Sequence, residues 1–212
     1  MTYRYFDTPQ GGLASFAAFL LVMAVDEPTM ADLTLYDFSR RLYDRRLEVL
    51  QRPLEIVGLP GAYIPIGHAL AHWARRRGAR DSSAIIAAAW SGWVAVRAMR
   101  LVIHRPRPPR PPGRGPKRES TFPSGHTVGL TTLALVAADV LERGGLLTPR
   151  EMRAAAIGVP LLIGATRIYV REHWLTDVIG GWTLGAAVAA GCLYAVRRRP
   201  NRQPRRTASR ST

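Results

Sequence analysis

Residues 178–196 form nineteen consecutive positions without a charge, and Arg197, Arg198 and Arg199 follow at once. A helix needs about 20 mostly apolar residues to cross a bilayer, so this stretch reads as a membrane span. Five shorter apolar runs precede it, at residues 13–25, 56–73, 82–96, 127–138 and 154–165. Each is short for a span by itself, and each becomes adequate when the polar residues at its ends are included. The pattern predicts an all-α protein, a six-transmembrane-helix bundle occupying residues 1–196. Between the first two runs, residues 32–52 place Leu35, Phe38, Leu42 and Val49 on one helical face, with Arg40, Arg41, Arg45 and Arg46 largely elsewhere. That predicts an amphipathic interfacial helix near the N-terminus. Residues 197–212 are arginine-rich, lack acidic and large apolar residues, and read as a disordered cytoplasmic tail.

Charge sets the expected orientation. The chain carries 30 Lys and Arg against 15 Asp and Glu, a formal net charge of +15. Six spans put both termini on one side, together with Arg75–Arg80, Arg143–Arg153 and the tail, and the positive-inside rule makes that side cytoplasmic. The arginines between Arg100 and Arg118 then fall on the outer face, which suggests a task other than topology. A basic chain can serve nucleic acid, an anionic membrane surface or a phosphorylated substrate. Aromatic residues for base stacking are almost absent from the arginine runs, so no nucleic-acid partner is expected. The single cysteine, Cys192, excludes an intramolecular disulfide and a cysteine-based metal site. The N-terminus shows no cleavage site after its first apolar run and is not read as a cleaved signal peptide.

Ionisable groups at membrane edges need a reason to be there. His173 and Asp177 are spaced i, i+4, and on a helix they share a face. A carboxylate bonded to one imidazole nitrogen fixes the tautomer and leaves the other nitrogen as nucleophile or base. Arg167 stands six residues before His173. Upstream, Pro123-Ser124-Gly125-His126 opens an apolar run. Ser124 can cap that helix, Gly125 lets a ligand approach the backbone, and free N–H groups at a helix start bind anions. Arg100 and Arg107 add guanidinium forks that match phosphate oxygens. Taken singly, the His173–Asp177 pair could be a helix-surface contact and the tetrapeptide a capped helix. Arg105, Arg110, Arg114, Lys117 and Arg118 read as solvated loop residues or as long-range attractors of anions. His68 and His72 read as structural.

Together the three segments resemble the signature of the type 2 phosphatidic acid phosphatase (PAP2) superfamily, K-x6-R-P, P-S-G-H and S-R-x5-H-x3-D. Here they stand as Arg100-x6-Arg107-Pro108, Pro123-Ser124-Gly125-His126 and Thr166-Arg167-x5-His173-x3-Asp177. Arg100 replaces the usual lysine and Thr166 the usual serine. The resemblance implies a metal-independent, cofactor-free lipid phosphatase of the membrane branch, with the bilayer and a phosphorylated lipid as partners. His173 would attack phosphorus, Asp177 would orient it, and His126 would protonate the leaving oxygen and then activate water. Arg100, Arg107, Ser124, Gly125 and Arg167 would hold the phosphate at the outer membrane face. Phosphatidic acid, phosphatidylglycerophosphate and polyprenyl diphosphates are the substrates implied. Phosphotransfer to an alcohol and non-catalytic lipid-phosphate binding are the alternatives. Soluble acid phosphatases and vanadate haloperoxidases share the motifs but would lack the apolar runs.

Overall fold

The computed structural model describes residues 9–24, 27–111, 113–115 and 120–198. The tail beyond Arg198, together with Lys117 and Arg118, lies outside them. The described residues form eight helices and no strands: α1 Pro9–Met23, α2 Met30–Leu42, α3 Arg45–Val57, α4 Pro60–Arg76, α5 Ser83–Val102, α6 Gly125–Arg143, α7 Pro149–Tyr169 and α8 Leu175–Arg197. By length and composition α5 and α8 can each cross a membrane, and α3 with α4 qualifies as a pair bent by 58°. Within the described residues the six apolar runs fall mostly on helices, the second crossing the break between α3 and α4, but α6 and α7 carry too many polar residues to qualify by apolarity alone.

The amphipathic stretch at residues 32–52 is two helices instead of one. Tyr43 leaves the helical region, and the Asp44 side chain accepts the Arg46 N–H at 2.7 Å, capping a new helix. Thr29 and Asp32 cap α2 reciprocally, as a capping box. A second break falls at Gly58–Leu59, where α3 gives way to α4.

Helix α6 is the centre of the bundle, packed by α5, α7 and α8, and most of its residues are buried. Lipid tails are as apolar as leucine, so such helices associate through close packing instead of water exclusion. The stripe Gly181-x3-Gly185 supplies it: a Cβ at either position would come within 2.8 Å of Thr127 or Thr131 on α6. The Thr132 hydroxyl spans the same seam to the Gly185 carbonyl at 3.2 Å. Helix α1 lies along α8, and the Phe19 ring stacks on Phe122 with centroids 5.8 Å apart. Large apolar side chains face outward from the periphery, among them Leu21 on α1, Trp90 and Leu101 on α5, and Leu161 and Leu162 on α7. That is the surface a bilayer would cover.

This packing gathers four helix ends. The C-termini of α5 and α7 and the N-termini of α6 and α8 meet at one end of the bundle, roofed by α2, α3 and the segment after α5. The opposite end carries Arg75, Arg76, Arg77, Arg143, Arg150, Arg153, Arg197 and Arg198.

Candidate active site

At the gathered end lies a cavity of about 510 Å³. Its lining includes Arg100, Arg107, Gly125, His126, Arg167 and His173 from the three signature segments. Arg97, Glu172, Leu59, Tyr63 and Trp93 complete much of the wall. Ser124 and Asp177 are fully buried behind this surface. The expected Ser124 cap is not made. Its hydroxyl instead accepts from Thr127 Oγ1 at 2.8 Å, and its backbone N–H donates to the Asp177 carbonyl at 3.1 Å. That last bond ties the start of α6 to the first turn of α8. At Gly125 a Cβ would meet the Arg100 guanidinium at 3.4 Å, an ordinary contact, so packing alone does not demand glycine there.

His173 is delivered by a short reversal after α7. Arg171 adopts φ 54°, the left-handed conformation that commonly ends helices, and the Glu172 N–H returns to the Arg167 carbonyl at 3.0 Å. The Arg171 guanidinium lies over the rings of Tyr36 and Tyr43, at 5.8 and 5.1 Å from their centroids. Asp177 then caps α8 from within, accepting the Trp174 N–H on Oδ2 at 2.8 Å. Burial pushes the His173 imidazole below its ordinary value, Asp177 opposes that, and the charges of Arg107 and Arg100 reinforce it. At neutral pH the ring is uncharged and holds a lone pair.

Arg105 is not the solvated loop residue or long-range attractor that its place in the sequence suggests. It is 4% exposed, and its Nη1 donates to Asp177 Oδ1 at 3.0 Å and to Thr176 Oγ1 at 2.6 Å. Its Nη2 reaches Asp32 Oδ2 at 3.3 Å. A cation shared by two buried carboxylates is compensated, whereas either carboxylate alone would be costly. Burial works against the Asp32 charge, but N–H and hydroxyl donors from Thr176 and Thr29 hold its carboxyl below the usual range.

Arg110 and Arg114 also belong to a network and are not freely solvated. Both bond Glu172, Arg114 at 2.8 Å, and Arg114 reaches Glu48 at 2.6 Å and Glu55 at 3.4 Å. Arg107 donates to the Glu172 carbonyl at 2.8 Å. Arg167 is 1% exposed and donates to Gln51 Oε1 at 2.7 Å. The arginines at this end therefore meet acids from α3 and from position 172. Glu48, Gln51, Glu55, Glu172 and Thr121 stand behind the candidate residues with no local spacing to mark them in the sequence.

His126 sits under the α3–α4 break. Its Nε2 lies 3.0 Å from the Glu55 carbonyl, which only accepts, so that nitrogen carries the proton. A Cβ on Gly58 would lie 2.1 Å from the imidazole Cδ2, so only glycine allows this approach. Outside the cavity, His68 accepts from the Trp90 indole N–H at 3.1 Å, a packing role. Among the described residues no three His, Cys, Asp or Glu side chains are grouped to hold a metal ion.

Comparison with known proteins bears on this end of the bundle. A Sulfolobus acidocaldarius undecaprenyl-diphosphatase is 33% identical over 69 residues, covering 32% of this chain and 30% of that relative. The chain therefore matches less than a third of that relative's length. The crystal structure of a transmembrane PAP2 type phosphatidylglycerolphosphate phosphatase from Bacillus subtilis superposes with a TM-score of 0.75 at 19% identity. That match covers 88% of this chain and 94% of the other, and it speaks for the fold. The family model of the PAP2 superfamily matches residues 82–201, from the residue before α5 past the end of α8. More than half of the chain, including every segment of the signature, lies in that match, and the chain belongs to the PAP2 superfamily.

Proposed function

We propose that this chain is an integral membrane phosphatase that removes phosphate from a monoester or diphosphate of a membrane lipid. The observation that carries the reading is the cavity itself. Arg100, Arg107 and Arg167 share it with both signature histidines, while Leu59, Pro60, Tyr63, Trp93 and Val96 furnish apolar wall between α4 and α5. A phosphate would meet the cations, and an acyl or prenyl chain the apolar side. The two proteins compared above are named for undecaprenyl diphosphate and phosphatidylglycerol phosphate, which joins two of the candidate substrates. Phosphatidic acid is the third.

In this reading His173 Nε2 attacks phosphorus and the bond to the leaving oxygen breaks. The leaving oxygen takes its proton from His126, and a phosphohistidine remains. His126 then takes a proton from water as the water oxygen attacks phosphorus. Inorganic phosphate departs and the electron pair returns to His173 Nε2. Arg100, Arg107, Arg167 and the Gly125 N–H at the start of α6 stabilise the charge on the non-bridging oxygens. Asp177 holds the ring of His173.

For topology, α1 and α4–α8 would supply six spans, with α2 and α3 at the outer interface. The arginine-rich end opposite the cavity would be cytoplasmic. At the cavity end Arg114 pairs with Glu48, Glu55 and Glu172.

The test is phosphate release by the purified protein in detergent from phosphatidic acid, phosphatidylglycerophosphate and a polyprenyl diphosphate, with and without EDTA. Release from at least one lipid, insensitive to EDTA and abolished in His173→Ala, is expected. No release from any of them, or full activity in His173→Ala, refutes the reading.

A further inference from the structure

The His173–Asp177 pair is not closed by a direct bond of ordinary length. Nδ1 lies 3.5 Å from Oδ2, whereas a charge-assisted N–H···O bond is about 2.7–2.9 Å. A third group sits against both. Thr121 Oγ1 is 2.7 Å from Asp177 Oδ2 and 3.1 Å from His173 Nδ1. The donor count then has one solution. A carboxylate facing Arg105 only accepts, so the single hydroxyl hydrogen of Thr121 goes to Asp177. The threonine oxygen is left to accept, and His173 must donate to it from Nδ1.

Thr121 is also fixed at its backbone. It is fully buried, and its N–H donates to the Arg105 carbonyl at 3.0 Å, while the Arg105 side chain grips the other oxygen of Asp177. One residue thus sets both the hydroxyl and the carboxylate. Position 121 is outside the three signature segments, and Arg105 falls in the spacer of the first.

We propose that Thr121 is a positioning residue for the reaction: its hydroxyl bridges His173 to Asp177 and fixes the Nδ1–H tautomer, turning Nε2 to the phosphate. The proposal rests on the phosphatase reading for its kinetic consequence but not for its geometry. Thr121→Val keeps the shape and removes the bridge, and Thr121→Ser keeps the bridge. With the substrate the parent hydrolyses best, Thr121→Val is expected to lower kcat about 10²-fold, the cost of a nucleophile displaced by about an ångström, with KM within about twofold. Thr121→Ser is expected to recover most of that loss. Undiminished kcat in Thr121→Val overturns the bridge, and so does a loss that Thr121→Ser fails to restore.

A second measurement does not depend on turnover. The ¹⁵N signals of labelled histidine, assigned to His173 by comparison with His173→Ala, should show Nδ1 protonated in the parent and should move in Thr121→Val. An Nε2–H tautomer in the parent, or signals unmoved by Thr121→Val, overturns the bridge. A parent that releases no phosphate from any lipid counts against the phosphatase reading alone, and the ¹⁵N signals then decide the bridge.

Discussion

The two histidines at the cavity are held in opposite ways. His173 is 5% exposed and stands in front of layered buried groups, Thr121 and Asp177, then Arg105, then Asp32. Each layer is bonded to the next, and the last caps α2. His126 meets backbone on one side, with Nε2 against the Glu55 carbonyl and the bare Gly58 against its ring. Proposed roles fit that contrast. A nucleophile must be aimed at phosphorus before substrate arrives, and rigid positioning is worth several kcal/mol of barrier. A proton donor and acceptor has to serve a leaving oxygen and then a water, and its cover is the bent junction of α3 with α4.

The largest effect that bears on this contrast is removal of the second histidine. His126→Ala should lower kcat by about 10²–10⁴-fold, the usual contribution of a positioned acid or base. Because leaving-group protonation matters less for a better leaving group, the loss should shrink with an activated aryl phosphate. An equal loss with both substrates would break the proposed division of labour. Next comes Gly58→Ala, whose Cβ would collide with the imidazole and must displace it from the Glu55 carbonyl. About 10²-fold is expected, with the ¹⁵N signals of His173 unmoved. Parent-like activity would mean that the α3–α4 junction yields without moving His126.

How far this contrast could be read from the chain depends on where each partner comes from. The signature residues lie within a few positions of helix ends, at spacings a helix or a short turn imposes, so the sequence singles out Arg100, Arg107, His126, Arg167, His173 and Asp177 as candidates, and the fold gathers them at one end of the bundle. The layers behind His173 are not so singled out. Arg105 meets Asp32 from 73 residues upstream and Asp177 from 72 downstream, and no periodicity connects them. Arg110 and Arg114 read as solvated for the same reason, since Glu48 and Glu172 reach them only in the folded bundle. Glu172 adjoins His173, yet a glutamate in a five-residue spacer carries no mark. The break at Tyr43–Asp44 did leave one, an aspartate before a helical run, but the amphipathic periodicity continued across it and concealed it.

The pH profile sharpens the rigid side of the comparison. Burial first, then Arg107 and Arg100, hold the His173 imidazole below the ordinary histidine value of 6.5. The nucleophile needs its lone pair, so kcat/KM should stay level as pH falls through 6.5 and decline only below it. Removing a nearby positive charge makes the imidazolium less unfavourable and raises its pKa. Arg107→Gln should therefore move the acid limb to higher pH, by less than the shift that burial itself imposes. An acid limb above 6.5 in the parent, or a downward movement in Arg107→Gln, would contradict the placement of His173.

The smallest expected effect tests the reversal that carries His173. Arg171 holds φ 54°, a conformation that costs a non-glycine residue about 1–2 kcal/mol. Its guanidinium recovers part of this over Tyr36 and Tyr43, at about 0.5–1 kcal/mol for such a contact. Arg171→Gly loses the ring contacts and relieves the backbone, whereas Arg171→Ala loses the contacts and keeps the strain. The apparent unfolding midpoint in detergent should therefore fall little in Arg171→Gly and further in Arg171→Ala, with about 1 kcal/mol between the two. Since Glu172 still returns to the Arg167 carbonyl, kcat should follow the same order with changes of a fewfold at most. If alanine were the better tolerated, the left-handed turn would not be what delivers His173, and its firm placement would rest on Thr121 and Asp177 alone.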